Sequence, residues 1–397
     1  RIGADLPVIA VGSHDTASAV VAVPSTDRDV AFVSCGTWGL VGLELEQPVL
    51  TDEGQKGAAQ AIADNQTTGR FLGHEYRLSE RRVPLNGDLA AAFEAAVAEG
   101  ERLFVVDLPA DDLVALAPRA EEAGALLFNA RAEDDDLRAE NCSAAVMHIA
   151  PARAMKADAL AQYLVWKRWQ RWLLVHGTTP PDVELAEAYR RAAKKFGAKI
   201  VEERAYEDTG GARRTDTGHV QIQSQMPVFT QGAPEHDVIV VADEADLFGE
   251  YLPYRTWDAR PVVGSVGLMP VSWSRVHEQW GGTQVQRRFE RFAGRPMTER
   301  DFNAWLAVRA IGEAVTRSGD PAPGPLHDYL LSPRFEIAAF KGQGLSFRPW
   351  DQQMRQPVLL VTPRMLVSVS PQDQFLHQRT PLDTLGMDEP ESPCRLN

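Results

Sequence analysis

The residues of this sequence that suit ligand chemistry are single charged, polar or aromatic side chains near the ends of short apolar runs. Six of them are candidate ligand-binding groups by position: Asp107, Asn129, Arg153, Tyr206, Asp243 and Trp273. The sequence contains no nucleophile elbow, no Walker loop and no HExxH zinc motif. Nothing in residues 54–397 therefore requires catalysis, and we expect no cofactor and no metal ion.

Arg153 is the candidate with the most specific chemistry. It lies in the stretch HIAPARA, which offers few hydroxyl groups. A guanidinium can hold a carboxylate through two parallel N–H···O bonds, so Arg153 is a candidate for a solute carboxylate. A surface ion pair or a contact at a helix N-terminus is the alternative.

Two aspartates and two tryptophans also have two interpretations each, one as a ligand-binding group and one as a structural residue. Asp107 and Asp243 come at the ends of apolar runs, which places them at the edge of a cleft, yet such aspartates often cap the next helix. Trp273 and Trp280 lie seven residues apart. Their rings could stack on a solute, or they could pack in the core, as tryptophan commonly does.

The stretch from Arg153 to Glu207 contains the elements that must position these groups. Apolar residues recur at helical spacing in 157–165 and again in 185–196, and a short apolar run follows each helix. The order helix, strand, helix, strand requires a parallel sheet, because a crossover helix joins strands that lie side by side in parallel. Ligands of such sheets bind beyond the carboxyl ends of the strands.

The remaining sequence continues this alternation and then changes. Apolar runs at 103–106, 125–128, 146–149, 238–241 and 261–268 predict further strands, and Glu75–Arg82 is also predicted as a strand. We expect the acidic run Glu133–Asp136 to be a solvated loop and Asp320–Pro325 to be a Pro/Gly loop. From Phe335 onward the pattern is typical of β-hairpins.

Composition excludes several classes of protein. A chain of 397 residues predicts two or three domains, and 44% hydrophobic with 24% charged residues is typical of a globular protein. No apolar run of about 18 residues predicts a membrane span, and no signal peptide is visible. The net charge of -14 argues against binding to nucleic acid. The cysteines Cys35, Cys142 and Cys394 lack metal-ligand spacing; we favour free buried thiols, with one disulfide as the alternative.

Residues 1–50 carry two motifs of their own. VGSHDTASAV (Val11–Val20) and FVSCGTWGLVGLELEQPVL (Phe32–Leu50) resemble the start of the second domain of rhamnulokinase, a sugar kinase. The resemblance implies that Asp15 corresponds to the catalytic base and that Gly36 and Thr37 lie near nucleotide phosphates. It ends near Thr51, so we expect an inactive fragment; kinase activity is the alternative.

From Gly54 onward the sequence resembles a different family. The stretches that carry this resemblance are ADNQTTGRFLG (Ala63–Gly73), LFVVDLPADDL (Leu103–Leu113), ALAQYLVWKRWQRW (Ala159–Trp172), FGEYLPYRTWDARPVVGSVGL (Phe248–Leu268) and FLHQRTPLDTLGMDEPESPCRL (Phe375–Leu396). They are similar to type I periplasmic binding proteins of ABC transporters, of the branched-chain amino acid type. The match is closest to the subfamily associated with PQQ-dependent alcohol catabolism.

The resemblance implies an α/β fold of two lobes with parallel sheets flanked by helices, preceded by a β-rich segment. The expected division is 1–52 for the kinase-like fragment, 53–148 with 271–331 for lobe one, and 149–270 with 332–397 for lobe two. Gly39–Leu45 is a candidate for the strand with which lobe one of this family begins.

The function implied by the resemblance is capture of a small solute between the lobes and its delivery to an ABC permease. The protein is then expected to be a periplasmic monomer, and Cys142 could pair with Cys394 if the chain is exported. A ligand sensor that signals to a partner without transport is a further alternative.

Overall fold

The structure is a computed structural model that describes residues 30–35, 39–44, 52–84, 87–207 and 222–396. The kinase-like residues Asp15, Gly36 and Thr37 lie outside these ranges. The chain divides into two compact units, Arg1–Asp52 with Thr209–Gln225, and Glu53–Asp208 with Met226–Asn397. In the first unit, β1 (Val30–Cys35) and β2 (Gly39–Glu44) form an antiparallel pair.

The described residues contain nine α-helices. They are α1 Gln55–Leu72, α2 Leu89–Ala98, α3 Ala110–Glu122, α4 Arg153–Trp166, α5 Pro180–Phe196, α6 Ile222–Thr230, α7 Gly282–Ala293, α8 Glu299–Ser318 and α9 Pro323–Leu331. Helix α8 begins with a capping box, in which Thr298 and Asp301 satisfy each other's backbone N–H groups. In the part of the chain that the structure describes, no helix is long and apolar enough to cross a membrane.

The strands of the second unit form four sheets. Their bounds are β3 Leu103–Val106, β4 Leu126–Asn129, β5 Val146–His148, β6 Arg171–His176, β7 Lys199–Ala205, β8 Val238–Ala242, β9 Val262–Gly264, β10 Met269–Val271, β11 Ile337–Ala338, β12 Gly344–Phe347, β13 Met354–Arg355, β14 Val358–Thr362 and β15 Met365–Ser370. The orders β3-β4-β5 and β7-β6-β8-β9 are parallel sheets. The orders β10-β14-β15 and β11-β12-β13 are antiparallel.

The first parallel sheet is covered on both faces. Because side chains alternate along a strand, Leu126 and Phe128 of β4 face one core, which also contains α1, α7, α8 and α9. Leu127 faces the opposite core, with α2 and α3. Burial on both faces explains why the strand is a continuous apolar run, as is usual for parallel sheets.

The second parallel sheet packs against α4 and α5. Trp172 and Leu174 of β6 lie in one core with Leu160 of α4 and Tyr189 of α5. The antiparallel strand β14 contributes Leu360 to the same core. The unit predicted from Arg153–Glu207 thus forms the centre of this lobe.

Helices α1 and α8 approach each other closely because both carry glycine at the contact. A Cβ atom placed on Gly57 of α1 would lie 1.9 Å from the backbone oxygen of Asp301. A Cβ atom on Gly312 of α8 would lie 2.2 Å from the Asn65 side chain. Alanine at either position would force the two helices apart.

Four expectations for local structure differ from the structure. Glu75–Arg82 is not a strand. Of the candidate Gly39–Leu45, the structure describes residues 39–44: they form β2, which pairs with β1, and in the described sheets β3 pairs only with β4. Part of Asp320–Pro325 belongs to α9. Glu133 and Asp134 are partly buried and ion-paired rather than solvated.

The bounds of the two lobes stay a prediction. Phe335, Leu345 and Met354 pack in the core that contains α8. Val358 and Leu385 pack in the core that contains α4 and α5. This packing favours a crossing between the lobes near residue 356, later than the predicted crossing at 332.

Candidate functional site

Charged side chains converge on the first turn of α4, where loops from both lobes meet. This helix begins at Arg153, shortly after β5 ends. The loop after β4 supplies Glu133 and Asp134, and the loop after β8 supplies Glu244. The residues therefore lie beyond the carboxyl ends of strands from both parallel sheets, which is where such sheets bind ligands.

Arg153 is the most highly connected residue of this cluster. Its Nε and Nη2 atoms donate to the two carboxylate oxygens of Glu244 at 2.8 and 2.7 Å. Its Nη1 atom lies 2.9 Å from a Glu184 oxygen and 3.0 Å from an Asp134 oxygen. The side chain is 8% exposed, and although burial opposes its charge, Glu244 and Asp134 raise the pKa of Arg153. The alternative of an ion pair is what the structure contains, and the ligand role of Arg153 stays a prediction.

Lys156, one turn further along α4, makes a second connection. Its Nζ atom lies 2.6 Å from Glu133 and 3.2 Å from Glu299, the first residue of α8. Glu299 also accepts hydrogen bonds from the backbone N–H of Ser272 (2.6 Å) and from its hydroxyl group (2.9 Å). Burial opposes the charge on Lys156, but the two glutamates outweigh it and raise its pKa.

These ion pairs join the two cores. Helix α4 packs in the core of the second parallel sheet, whereas α8 and β4 pack in the core of the first. Lys156 therefore ties one lobe to the other through Glu133 and Glu299, and Arg153 does so through Asp134. Partly buried pairs of this kind contribute little net free energy, but removal of one partner leaves a charge without compensation.

Lys341 is a buried cation next to this cluster. It is 1% exposed, and its Nζ atom donates to the Gln356 amide oxygen at 2.6 Å and to the Pro357 carbonyl at 3.0 Å. The same atom lies 5.0 Å from the centre of the Phe302 ring. Burial lowers the pKa of Lys341 to about 7, against an opposing effect of Glu299.

The pKa of Glu133 is displaced in the other direction. Burial raises it to about 7, although Lys156 opposes the shift; Glu299 and Glu244 add to it. The folded state thus binds the Glu133 proton more tightly than the unfolded state does, whose glutamates titrate at about 4.3. It binds the Lys341 proton less tightly, since an unfolded lysine titrates at about 10.4.

We predict opposite pH dependences for variants of these two residues. Because its pKa is raised in the folded state, the contribution of Glu133 to stability is full below about pH 4 and is lost as the pH rises to about 7. The contribution of Lys341 is full above about pH 10 and is lost as the pH falls to about 7. Chemical denaturation at several pH values should show that Glu133→Gln flattens the acidic limb alone and Lys341→Met the alkaline limb alone. If both variants showed the same dependence of stability on pH as the wild-type protein, this account would be wrong.

Asn129 and His148 contact each other inside the first lobe. The Asn129 amide oxygen accepts from the Ala132 N–H at 2.8 Å, and its nitrogen lies 3.1 Å from His148 Nδ1. Both residues are almost fully buried, and burial followed by the Arg138 charge holds the pKa of His148 well below its usual value. Asn129 thus shapes the loop that presents Glu133 and Asp134.

Asp243 and Tyr206 lie together in the second lobe. The Asp243 carboxylate accepts from the backbone N–H groups of Leu247, Phe248 and Gly249 at 2.6 to 2.9 Å. These bonds hold the loop that follows β8. The ligand role of Asp243, like those of Asn129 and Tyr206, stays a prediction. Tyr206 is 5% exposed and stacks on Phe248 with ring centres 4.6 Å apart.

Trp273 and Asp107 occupy contrasting positions. Trp273 is 2% exposed, stacks on Phe302 at 4.6 Å and donates to Gln286, so it packs in the first core. Asp107 is partly exposed and lies 3.8 Å from Arg131. Ligand roles for both residues stay predictions; of the six candidates, the convergent cluster contains only Arg153.

Sequence reasoning missed the partners of Arg153 and the whole Lys156 connection. The signal that was available is the pair Arg153 and Lys156, three residues apart on the face of a helix that follows the acidic run Glu133–Asp136. Space beside the cluster is small: the cavity lined by Asp135, Ala154 and Arg348 has a volume of about 10 Å³, room for about one water molecule.

Cys142 and Cys394 form a disulfide. The preferred expectation of free thiols is thus wrong for this pair, and the alternative is correct. The bond links the loop before β5 to the segment near residue 394, and Cys394 is 5% exposed. The pairing of Cys142 with Cys394 could not be inferred from spacing, because the two cysteines are 252 residues apart in sequence.

Comparison with known proteins gives a family match over part of the chain. Residues 51–220 match the family model described as "Periplasmic binding protein". Two curated relatives match short segments: a rhamnulokinase of Bacteroides thetaiotaomicron is 58% identical over 48 residues, and one of Enterobacter sp. is 43% identical over 70. The chain spans 10% and 14% of the length of these two kinases.

Solved structures match over most of the chain. A leucine-, isoleucine-, valine-, threonine- and alanine-binding protein from Brucella ovis, in a closed conformation, superposes with a TM-score of 0.71 at 13% identity, covering 89% of this chain and 96% of that one. A branched-chain amino acid ABC transporter ligand-binding protein from Burkholderia xenovorans gives 0.66 at 15% identity, covering 88% and 97%. The predicted fold class is confirmed: the chain has the α/β fold of type I periplasmic binding proteins, and over residues 51–220 it also matches periplasmic binding proteins in sequence.

Proposed function

We propose that this protein is the solute-binding component of an ABC transporter, which captures a small molecule between its lobes and presents it to a permease. The observation that carries the proposal is the fold: strands from two parallel sheets direct their carboxyl ends at the loops that hold Glu133 and Glu244. Similar structures are named as binding proteins for branched-chain and related amino acids. Closure of two lobes over a solute is the motion that this architecture permits.

The solute class and location are part of the same proposal. An amino acid or another small carboxylate is favoured by the names of the structural neighbours. The resemblance to the subfamily of PQQ-dependent alcohol catabolism adds short alcohols and their acid products. A periplasmic location agrees with the Cys142–Cys394 disulfide, because disulfides persist in oxidising compartments.

Thermal denaturation of the purified chain in the presence of single solutes tests the proposal. The set comprises branched-chain amino acids, short carboxylates, short alcohols and PQQ, with rhamnulose plus ATP for the kinase alternative. A solute at about a hundred times its dissociation constant should stabilise the fold by about 2.7 kcal/mol. Small-angle scattering should then show a smaller radius of gyration with that solute than without it.

Three results would contradict the proposal. Stabilisation by ATP with rhamnulose alone would favour the short segment that matches rhamnulokinases. A solute that binds without any change in the radius of gyration would argue against capture by lobe closure. A stable complex with a partner that is not a permease would favour the sensor alternative.

A further inference from the structure

A cavity of ligand size lies far from the cluster at α4, on the opposite edge of the first parallel sheet. Its volume is about 570 Å³, within the range of small-molecule sites. It is lined by the start of β4, the loop before β5, the start of α9 and the segment Arg395–Leu396. Because these are the amino ends of β4 and β5, the cavity is distinct from the loops that the proposed function uses.

The cavity offers a cation that has no carboxylate partner. Arg395 donates from Nη1 to the carbonyl groups of Ser392 (3.0 Å) and Cys394 (2.7 Å), which fixes the guanidinium at the cavity wall. Within residues 52–84, 87–207 and 222–396, Arg395 forms no ion pair. Gly324, in the first turn of α9, also lines the cavity, and a Cβ atom placed on it would meet nothing within 4 Å. The guanidinium is the group that suits a carboxylate.

The lining of the cavity also includes an anion. Glu121 is exposed, as Arg395 is, and accepts a hydrogen bond from the Ser143 hydroxyl at 2.6 Å, which leaves its second carboxylate oxygen for another donor. Ala125, Leu126 and Ala145 are apolar lining residues and form what we call the apolar floor. A cation, an apolar floor and an acceptor suit a small carboxylate that also carries a hydroxyl or ammonium group.

The disulfide holds one wall of this cavity in place. Cys142 lines the cavity, and Cys394 immediately precedes Arg395. Among the described residues, the hydrogen bonds of Arg395 go only to carbonyl groups of its own segment, which the disulfide of Cys394 joins to the loop before β5. Reduction would therefore free the segment that carries Arg395 from the loop before β5.

We propose that this cavity is a second solute site, which binds a small hydroxy or amino carboxylate through Arg395 and Glu121 and is complete only when Cys142 and Cys394 are joined. Arg395 binds the carboxylate, and Glu121 accepts from the hydroxyl or ammonium group. The apolar floor accommodates a short alkyl chain.

Saturation-transfer NMR and calorimetry with lactate, L-alanine, acetate and 2-propanol test this site in the full chain. Lactate or alanine should bind more tightly than acetate, and 2-propanol should not bind. Arg395→Gln should weaken this binding at least tenfold, because a charge-assisted hydrogen bond is lost. Glu121→Gln should reduce the preference for alanine over acetate. Arg364→Gln, at an exposed position in the turn between β14 and β15, is the matched control and should leave affinity unchanged.

The redox part is tested by repeating the titration after reduction and, separately, with Cys142→Ser/Cys394→Ser, and both should lose the Arg395-dependent binding. This binding depends on Arg395 and on the disulfide, whereas the interlobe site uses the loops around α4, so failure here is distinguishable from failure of the interlobe site. Binding that Arg395→Gln leaves unchanged, or no binding of lactate or alanine to the oxidised chain, would overturn the proposal. Binding that survives reduction with the fold intact would overturn its redox part.

Discussion

Loss of the Cys142–Cys394 disulfide is expected to lower the free energy of unfolding by about 5 kcal/mol in the chain-entropy description. The bond closes a loop between residues 252 apart in sequence, and longer loops restrict the unfolded chain more. It also fixes the loop before β5 to the segment that follows α9 and the hairpins.

Urea denaturation of the oxidised chain, the reduced chain and Cys142→Ser/Cys394→Ser measures this effect. The two forms without the bond should agree with each other, since both remove the same crosslink. Cys35→Ser is the matched control, because it removes a thiol and leaves the crosslink intact. Equal urea midpoints for the oxidised and reduced chains would show that the crosslink does not stabilise the protein by restricting the unfolded chain.

The elements that the sequence predicted well are those with a strong local period. The helices around Leu160 and Tyr189 were predicted because their apolar residues recur at 3.6-residue spacing, and the structure buries both residues. The strand at 172–175, which the structure extends to Arg171–His176, was predicted because a continuous apolar run between helices suits a strand buried on both faces. Local pattern and tertiary packing agree at these positions.

The segment Glu75–Arg82 shows where local pattern failed. Its alternation suits a strand, but a strand also needs a neighbour with free backbone groups. Here the Tyr76 N–H donates to the Gln66 side chain at 3.0 Å, and the Tyr76 hydroxyl reaches the Gly312 carbonyl at 3.4 Å. Glu75 pairs with Arg77, two residues along the chain. Contacts with α1 and α8 thus determine the conformation of this segment.

The candidate site could be predicted only in outline. Topology correctly placed Arg153 beyond the carboxyl ends of the strands. Its bidentate partner, Glu244, is 91 residues away in sequence, and nothing in the spacing identifies it. The acidic run was assigned to solvent because charge runs usually face water, whereas here Glu133 and Asp134 meet the cations of α4.

Arg153→Met is expected to destabilise the ligand-free protein by about 3 kcal/mol, because it leaves Glu244, Glu184 and Asp134 close together without their cation. The value is at the lower end for buried pairs, since these carboxylates are partly exposed. The radius of gyration of the ligand-free protein should also rise, because the connection from Asp134 to the second lobe is lost.

This variant separates the two interpretations of Arg153. If the guanidinium mainly binds a solute carboxylate, Arg153→Met should abolish solute affinity and leave the ligand-free denaturation midpoint near that of the control Arg364→Met. If it mainly ties the lobes together, the denaturation midpoint of ligand-free Arg153→Met should fall. Arg153→Lys should then recover only part of the loss, because lysine cannot form the bidentate pair with Glu244. The ion pairs favour the second result: a solute carboxylate could reach this guanidinium only by displacing a glutamate that already holds it.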